Sequence, residues 1–365
     1  MGNEDQLRNF AEEKRRVLIV RIGAMGDVLH AMPAVAALRQ RHPEWEIGWA
    51  IEPVWSPLLQ THTGEAAGSV EMPLVDRVHM VPTRAWKKRP LAAQTGAEVL
   101  RLRRELRGEQ YDLCVDLQGA IRSSVIGRMA GAREFAGPRE PREGPALWLY
   151  KKRIATRAAH VTEQGCEVLG GAIGERLAPV AAPLPVDAEA EAWCDEVLER
   201  LERERFALVA PSAGWGAKQW PAERYGAVAR ELAAGYGVLV NAASTDDPLA
   251  RMVVEASGGW ATSLPCTIAQ LIALVRRAGV VIAGDTGPLH LAAALQRPVV
   301  AIFGPTDPAR NGPYGTVSRV LRSASSLTDH SRHATAEQGM LEIGVDEVVA
   351  AALDLLRTEE GKVVR

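Results

Sequence analysis

The stretch 279–315 constrains the fold of this chain more than any other. Val280-Val281-Ile282-Ala283 is a short apolar run suited to a buried strand. Gly284-Asp285-Thr286-Gly287 interrupts it, and Pro288 stands where a helix accepts a first-turn proline. An apolar helical run follows over 289–295, Arg297-Pro298 ends it, and 299–303 reads as the next buried strand. Strand, glycine turn, helix and strand make a βαβ unit. Its turn aims backbone N–H groups and the positive end of a helix dipole at one point, which suits a phosphate or another anion. An ordinary βα turn with Asp or Thr as the helix cap has the same spacing.

With 365 residues the chain is long for one domain and suited to two. Three prolines at 179, 183 and 185 among alanines mark a linker. The expected organisation is an N-terminal domain over 1–178, a linker over 179–187, a C-terminal domain over 188–345, and a helix with a tail over 346–365. A net charge of −2 gives no global basic field for nucleic acid, so an anion site must be local. Cys114, Cys166, Cys194 and Cys266 are scattered without a CxxC pair, as expected of free thiols rather than a metal knot. No apolar run reaches the length of a membrane span, and the first residues are polar and charged, unlike a signal peptide. These features predict a cytoplasmic protein, with peripheral contact at the inner face of a membrane left open.

A polar lead-in over 1–14, helical or disordered, precedes a first buried strand at 16–20. The strand runs into Arg21-Ile22-Gly23-Ala24-Met25-Gly26-Asp27, with a helix expected over 28–41. Gly23 and Gly26 form GxxG, short of the GxGxxG dinucleotide pattern. The turn's position is more informative, because open α/β sheets bind ligands at the carboxyl ends of their strands. Asp27 is therefore a cleft carboxylate or merely an N-cap. Further strands are expected at 46–51, 77–81 and 111–117. Residues 83–90 read as a loop carrying Arg84, Lys87, Lys88, Arg89 and Trp86, either a solvated basic loop or a docking patch for an anionic substrate. A helix is expected over 98–107. The 146–153 stretch is apolar and aromatic, then basic, which fits a membrane surface or a helix with a cationic last turn.

In the second half, strands are expected at 206–210 and 237–241, and helices from 221, over 267–278 and over 345–357. Between them lie a glycine-bearing loop with Lys218 and the run Ser244-Thr245-Asp246-Asp247. Strands and helices alternate in both halves, and a cleft between the halves is the natural ligand site.

Five segments, in order, resemble the lipopolysaccharide heptosyltransferases of glycosyltransferase family 9: 21–33 with Met25-Gly26-Asp27-Val28-Leu29-His30, Asp116-Leu117-Gln118-Gly119, Lys218-Gln219-Trp220-Pro221, Asp285-Thr286-Gly287-Pro288-Leu289-His290, and Phe303-Gly304-Pro305-Thr306-Asp307-Pro308. The type I enzymes look most similar. The resemblance implies an α/β protein of GT-B fold, two Rossmann-like domains facing across a cleft. The acceptor would bind in the N-terminal half and the donor in the C-terminal half. It implies inverting transfer from ADP-L-glycero-β-D-manno-heptose to a Kdo-bearing lipid A, without metal or cofactor. By matching position Asp27 is the general base, Lys218 meets the donor phosphates, Asp285 contacts the sugar, and Thr286 and Gly287 offer backbone to the pyrophosphate. Arg84, Lys87 and Lys88, with Gly26 and Gln118, fall on the acceptor side. The ribose would be held by Asp246 or Asp247. The implied partners are the nucleotide sugar, an anionic lipid-linked acceptor and the inner-membrane surface, with no nucleic acid.

Within the family, a second heptosyltransferase or a protein-modifying heptosyltransferase is an alternative, and three other readings compete from outside it. A nicotinamide enzyme would use Glu52 at the end of the second strand, but it calls for GxGxxG. An aspartic protease would use Asp285-Thr286-Gly287, but twice and in a β-rich domain. A non-catalytic nucleotide-sugar binding module would keep Lys218 and the 285–287 turn and have no use for Asp27.

Overall fold

A computed structural model of the chain describes residues 14–62, 66–201, 203, 205–329 and 333–363. Apart from Lys14, the expected polar lead-in lies outside the described residues, as does the extreme C-terminus. The chain divides into two compact units, 1–158 with 162–185, and 159–161 with 186–365.

Unit 1 holds one parallel sheet of β1 (Arg16–Val20), β2 (Glu46–Ile51), β3 (Arg77–Met80), β4 (Leu113–Asp116), β5 (Glu134–Pro138) and β6 (Lys152–Ile154). Its helices are α1 (Met25–Arg41), α2 (Thr83–Lys88), α3 (Ala93–Gly108), α4 (Ile121–Ala130) and α5 (Val161–Ile173). Unit 2 repeats the plan with β7 (Phe206–Ala210), β8 (Gly237–Ala242), β9 (Thr262–Pro265), β10 (Val280–Gly284), β11 (Val299–Phe303) and β12 (Ser318–Arg322). Its helices are α6 (Ala188–Arg200), α7 (Ala222–Leu232), α8 (Pro248–Ala256), α9 (Ile268–Arg277), α10 (Gly287–Ala294), α11 (Pro308–Asn311), α12 (Gln338–Glu342) and α13 (Val345–Val363).

The central strands are unbroken apolar runs because helices cover both faces of each sheet. Every residue of Val17-Leu18-Ile19-Val20 and of Val299-Val300-Ala301-Ile302-Phe303 is fully buried. The strand orders are β3-β2-β1-β4-β5-β6 and β12-β11-β10-β7-β8-β9. Counted from the first strand of each unit, both are the doubly wound 3-2-1-4-5-6 order. The order reverses between β1 and β4 in one unit and between β7 and β10 in the other. Loops leaving such a pair diverge to opposite faces, so a crevice opens at the carboxyl ends of those two strands. Pairing of Val20 with Asp116, and of Ala283 with Ala210, brings the strand ends level there.

Several expectations change at this level. The first helix begins at Met25, ahead of the expected 28, so Asp27 lies inside its first turn instead of at the cap. The expected basic loop is the six-residue helix α2. The 146–153 segment is a 3-10 turn, Gly144–Leu149, followed by β6, and the helix expected there is absent. Helix α13 packs on unit 2 against α7, β10 and β11 and buries Leu355 and Leu356 completely.

Candidate active site

In unit 1 the turn after β1 presents Asp27 at the third position of α1. Carboxylates are favoured in a first turn by the helix dipole and by reaching back to the cap N–H. Asp27 does the latter: its Oδ2 accepts from the Ala24 N–H at 3.1 Å. Its Oδ1 pairs with Arg21 Nη2 at 3.0 Å, and Arg21 Nε donates to the Asp27 carbonyl, also at 3.0 Å. The same guanidinium donates to the Leu117 carbonyl at the end of β4. One partly buried arginine thus ties the two strands of the switch point and fixes the carboxylate. The Asp27 side chain remains 34% exposed against 14% for Arg21, so the acid is the member presented. Gly26 precedes it, half-buried in the same first turn.

Gly23 permits this turn. Its φ is +152°, and a Cβ there would come within 2.7 Å of the Trp55 indole nitrogen. Trp55 in turn carries Arg84, whose guanidinium carbon lies 5.2 Å from the ring centroid. Glu52 holds that helix in place: buried at the end of β2, it accepts from Thr83 Oγ1 at 2.6 Å and from the Arg84 N–H at 3.3 Å. Arg84, Lys87 and Lys88 are exposed on α2, while the neighbouring Arg89 is paired with Glu98 at 2.9 Å. Glu52 is therefore committed to the α2 N-terminus, which removes the residue that a nicotinamide site would have used for ribose.

Gln118, expected on the acceptor side, lies below the turn that carries Asp27. It is buried, and its Oε1 accepts from the Ile22 N–H at 2.8 Å, bracing the turn that carries Asp27. Asp116 below it is fully buried and accepts from the Gln118 and Gly119 N–H groups, Ser123 Oγ and Tyr150 Oη. Burial raises the pKa of Asp116, and these four donors oppose the shift. Its oxygens are consumed in shaping the β4 turn.

In unit 2 the loop after β7 brings Lys218 to the turn after β10. Lys218 Nζ pairs with Asp285 Oδ2, and His290 Nε2 lies 3.0 Å from Asp285 Oδ1. All three side chains are nearly buried, at 11%, 7% and 5% exposure for Lys218, Asp285 and His290. The ammonium also sits 4.3 Å from the centroid of Trp215. Burial pushes the Asp285 pKa up, but the hydrogen bond and charge of His290 and the charge of Lys218 outweigh it, holding the carboxyl well below the usual range.

Directly beyond lies the N-terminus of α10. Thr286 is its N-cap but makes no side-chain cap; its hydroxyl turns back to the Gly284 carbonyl at 3.3 Å. Asp187, Asp247, Thr267, Asp307 and Glu337 cap five other helices of the unit with their side chains. The first-turn N–H groups of α10, including that of Gly287, thus have no side-chain cap and are disposed for an anion. Asp247 is one of those caps: its oxygens accept from Leu249 N, Ala250 N and Ala243 N. Of the two ribose candidates only Asp246 is left with an exposed side chain.

Sequence reasoning did not single out Arg21, Trp55 or His290. Arg21 carried a signal, a cation ending an apolar strand six residues before an acid. His290 sits five residues after Asp285, one turn into α10.

The model of glycosyltransferase family 9 (heptosyltransferase) matches residues 99–340. Lipopolysaccharide heptosyltransferase 1 of Salmonella typhimurium is 29% identical over 323 residues, covering 82% of this chain and 92% of that protein. Lipopolysaccharide heptosyltransferase 2 of the same organism is 25% identical over 367 residues, covering 95% and 99%. Among solved structures, the E. coli heptosyltransferase WaaC with ADP superimposes with a TM-score of 0.74 at 24% identity, covering 93% of this chain and 99% of that one. E. coli ADP-heptose heptosyltransferase II gives 0.75 at 21% identity, covering 94% and 99%. The fold is thus α/β of the GT-B type, and the chain belongs to glycosyltransferase family 9, the lipopolysaccharide heptosyltransferases.

Proposed function

We propose that this glycosyltransferase transfers heptose, with inversion and without metal, from ADP-L-glycero-β-D-manno-heptose to a Kdo-bearing lipid A in lipopolysaccharide inner-core synthesis, working at the cytoplasmic face of the inner membrane. The observation that carries the reading is the Lys218–Asp285–His290 cluster beside the uncapped N-terminus of α10. A nucleotide-sugar donor leaves as a diphosphate, and a lysine with helix N–H groups can neutralise that charge as it develops. E. coli WaaC was solved with ADP and with ADP-2-deoxy-2-fluoro heptose, which supports the choice of donor. Of the two Salmonella typhimurium relatives, the type 1 enzyme is 29% identical and the type 2 enzyme 25%, which supports the first heptose over the second.

The acceptor hydroxyl gives its proton to Asp27, its oxygen bonds to the anomeric carbon, and the carbon–phosphate oxygen bond breaks with its electron pair leaving on ADP. Arg21 and the Ala24 N–H engage the Asp27 oxygens, fixing the carboxylate's direction. Arg84, Lys87 and Lys88 meet the acceptor's carboxylates or phosphates, Gly26 lets the acceptor approach the turn, and Gln118 supports that turn from below. Thr286 and Gly287 N–H groups take the pyrophosphate, Asp285 the sugar and Asp246 the ribose.

The test is Asp27→Asn. Asparagine keeps an oxygen for the Ala24 N–H, and Arg21 keeps its bonds to the carbonyls of residue 27 and Leu117, so the variant should fold; it cannot take the proton, and turnover should fall about 10²–10⁴-fold. ADP affinity, measured by titration, should hold, because the donor groups belong to unit 2. A folded variant turning over at the parent rate would refute the base assignment. Offering heptose-free and singly heptosylated acceptors in parallel separates first from second transfer, and turnover of neither would leave a binding module.

A further inference from the structure

We propose that the outer face of α4, the 3-10 turn Gly144–Leu149 and the start of β6 form a docking surface for an anionic lipid bilayer, an inference that deepens the reading of a lipid-linked acceptor. Helix α4 buries Ser123, Ser124, Ile126, Gly127 and Ala130 and exposes Ile121, Arg122, Val125 and Arg128. Those exposed positions recur at helical spacing, so two apolar and two cationic side chains share one face. On this face Ile121 and Val125, each 45% exposed, alternate with the two arginines.

The 3-10 turn packs against α4, with Ala146 and Leu147 joining the cluster that holds Ile126 and Ala130. This leaves Trp148 outward at 78% exposure. The chain then enters β6, the edge strand of the sheet, through Lys151, Lys152 and Arg153, all exposed. Lys151 and Lys152 donate to the Arg133 and Ala172 carbonyls and keep their charge at this edge.

From 121 to 153 the sequence has eight basic and three acidic residues, in a chain whose net charge is −2. One of the acids, Glu143, is turned into the α4 N-terminus, accepting from the Ile121 N–H at 2.8 Å. A local positive patch set around an exposed indole and aliphatic side chains has the composition of an interfacial surface: cations for anionic headgroups, tryptophan for the headgroup boundary. A polyanion such as nucleic acid would use the cations and leave Trp148, Ile121 and Val125 without purpose. Among the described residues no helix is long and apolar enough to cross a membrane, so the surface rests on the bilayer and does not span it.

The test uses the full chain and sedimenting vesicles. The parent should bind phosphatidylglycerol-rich vesicles at low salt, ignore pure phosphatidylcholine, and be released as salt rises. Arg122→Gln, Arg128→Gln and Arg153→Gln together should weaken the partition about a hundredfold, and Trp148→Ser about tenfold. Both variants should turn over a water-soluble, deacylated acceptor at the parent rate, which separates this surface from the chemistry. Equal binding to neutral vesicles, or variants that bind like the parent, would overturn the proposal. So would a Trp148→Ser variant indistinguishable from the parent alongside duplex DNA displacing the vesicles, which would mean attraction to any polyanion. Vesicle binding as predicted with no turnover of any acceptor would keep the surface and sink the proposed function.

Discussion

Replacing Lys218 with Met removes one member of a nearly buried ion pair and leaves Asp285 with His290 alone. Breaking a buried pair from one side costs about 3–5 kcal/mol, because the surviving charge stays in a poorly solvated place. The lower end applies here, since His290 still bonds Asp285 Oδ1 at 3.0 Å. For a unit of about 180 residues, a loss of about 3 kcal/mol lowers the melting transition by about 6–12 °C. Asp285→Asn should be destabilising too, stranding the ammonium beside Trp215. The double variant has neither charge, so it should be less destabilised than the sum of the singles, with a coupling of about 2 kcal/mol. The carboxyl sets the pH window. Its folded pKa lies below its unfolded value, so its contribution is complete above about pH 4, the unfolded carboxyl value, and fades as pH falls through the folded one. Calorimetry of the four proteins at pH 7 supplies the cycle, and additivity within about 0.5 kcal/mol would refute the pairing. ADP adds the functional half of the experiment. It should raise the transition of the parent and bind Lys218→Met ten- to a hundredfold more weakly, the worth of about 1.5–3 kcal/mol for a hydrogen bond to a charged group.

Replacing Arg84, Lys87 and Lys88 together by Ala should raise the acceptor Michaelis constant, most at low salt, with ADP titrations unchanged; equal weakening of both would reassign the patch to the donor. In the proposed mechanism lysine and helix N–H groups carry the leaving charge, so turnover should survive EDTA, and complete loss restored by Mg²⁺ or Mn²⁺ would require a divalent ion in the site. Gly23→Ala forces a Cβ to within 2.7 Å of the Trp55 indole at φ +152°, and should destabilise unit 1 by about 1–3 kcal/mol and impair acceptor use while sparing ADP affinity. A parent-like melting curve would show that the turn tolerates the side chain.

Strands β1, β2, β7 and β11 were legible to the residue because central parallel strands are continuous apolar runs bounded by turn chemistry. Strands β5, β6, β9 and β12 were not anticipated. β6 is Lys152-Arg153-Ile154 and β12 is Ser318–Arg322, edge strands paired on one side, whose exposed side chains leave no apolar signature. The early start of α1 was hidden by Gly26, which has poor helix propensity but sits in a first turn bound by the Asp27 carboxylate. The basic 84–89 stretch could not declare its helix, because the acid that caps it, Glu52, lies 32 residues before Arg84. The bracing bond of Gln118 was hidden for the same reason: its partner Ile22 is 96 positions away, and a buried amide bracing a turn has no local pattern.

The two units use one topology to opposite electrostatic ends, and exposure decides which charge each offers. At the switch point of unit 1 a cation, 14% exposed, serves as the anchor, and its carboxylate partner is left 34% open. That arrangement suits a group that must receive a proton from an arriving hydroxyl. At the switch point of unit 2 both members are hidden, at 11% and 7%, and the open feature is the uncapped helix beside them. In the proposed mechanism Asp285 holds Lys218 in place until a diphosphate competes for it, and His290 then holds the carboxylate that the lysine leaves. On this reading Asp285→Asn should damage ADP binding as well as any sugar contact, because the ammonium loses the partner that stores it. A variant that binds ADP at parent affinity and fails only in turnover would confine Asp285 to the sugar and leave the storage role without support.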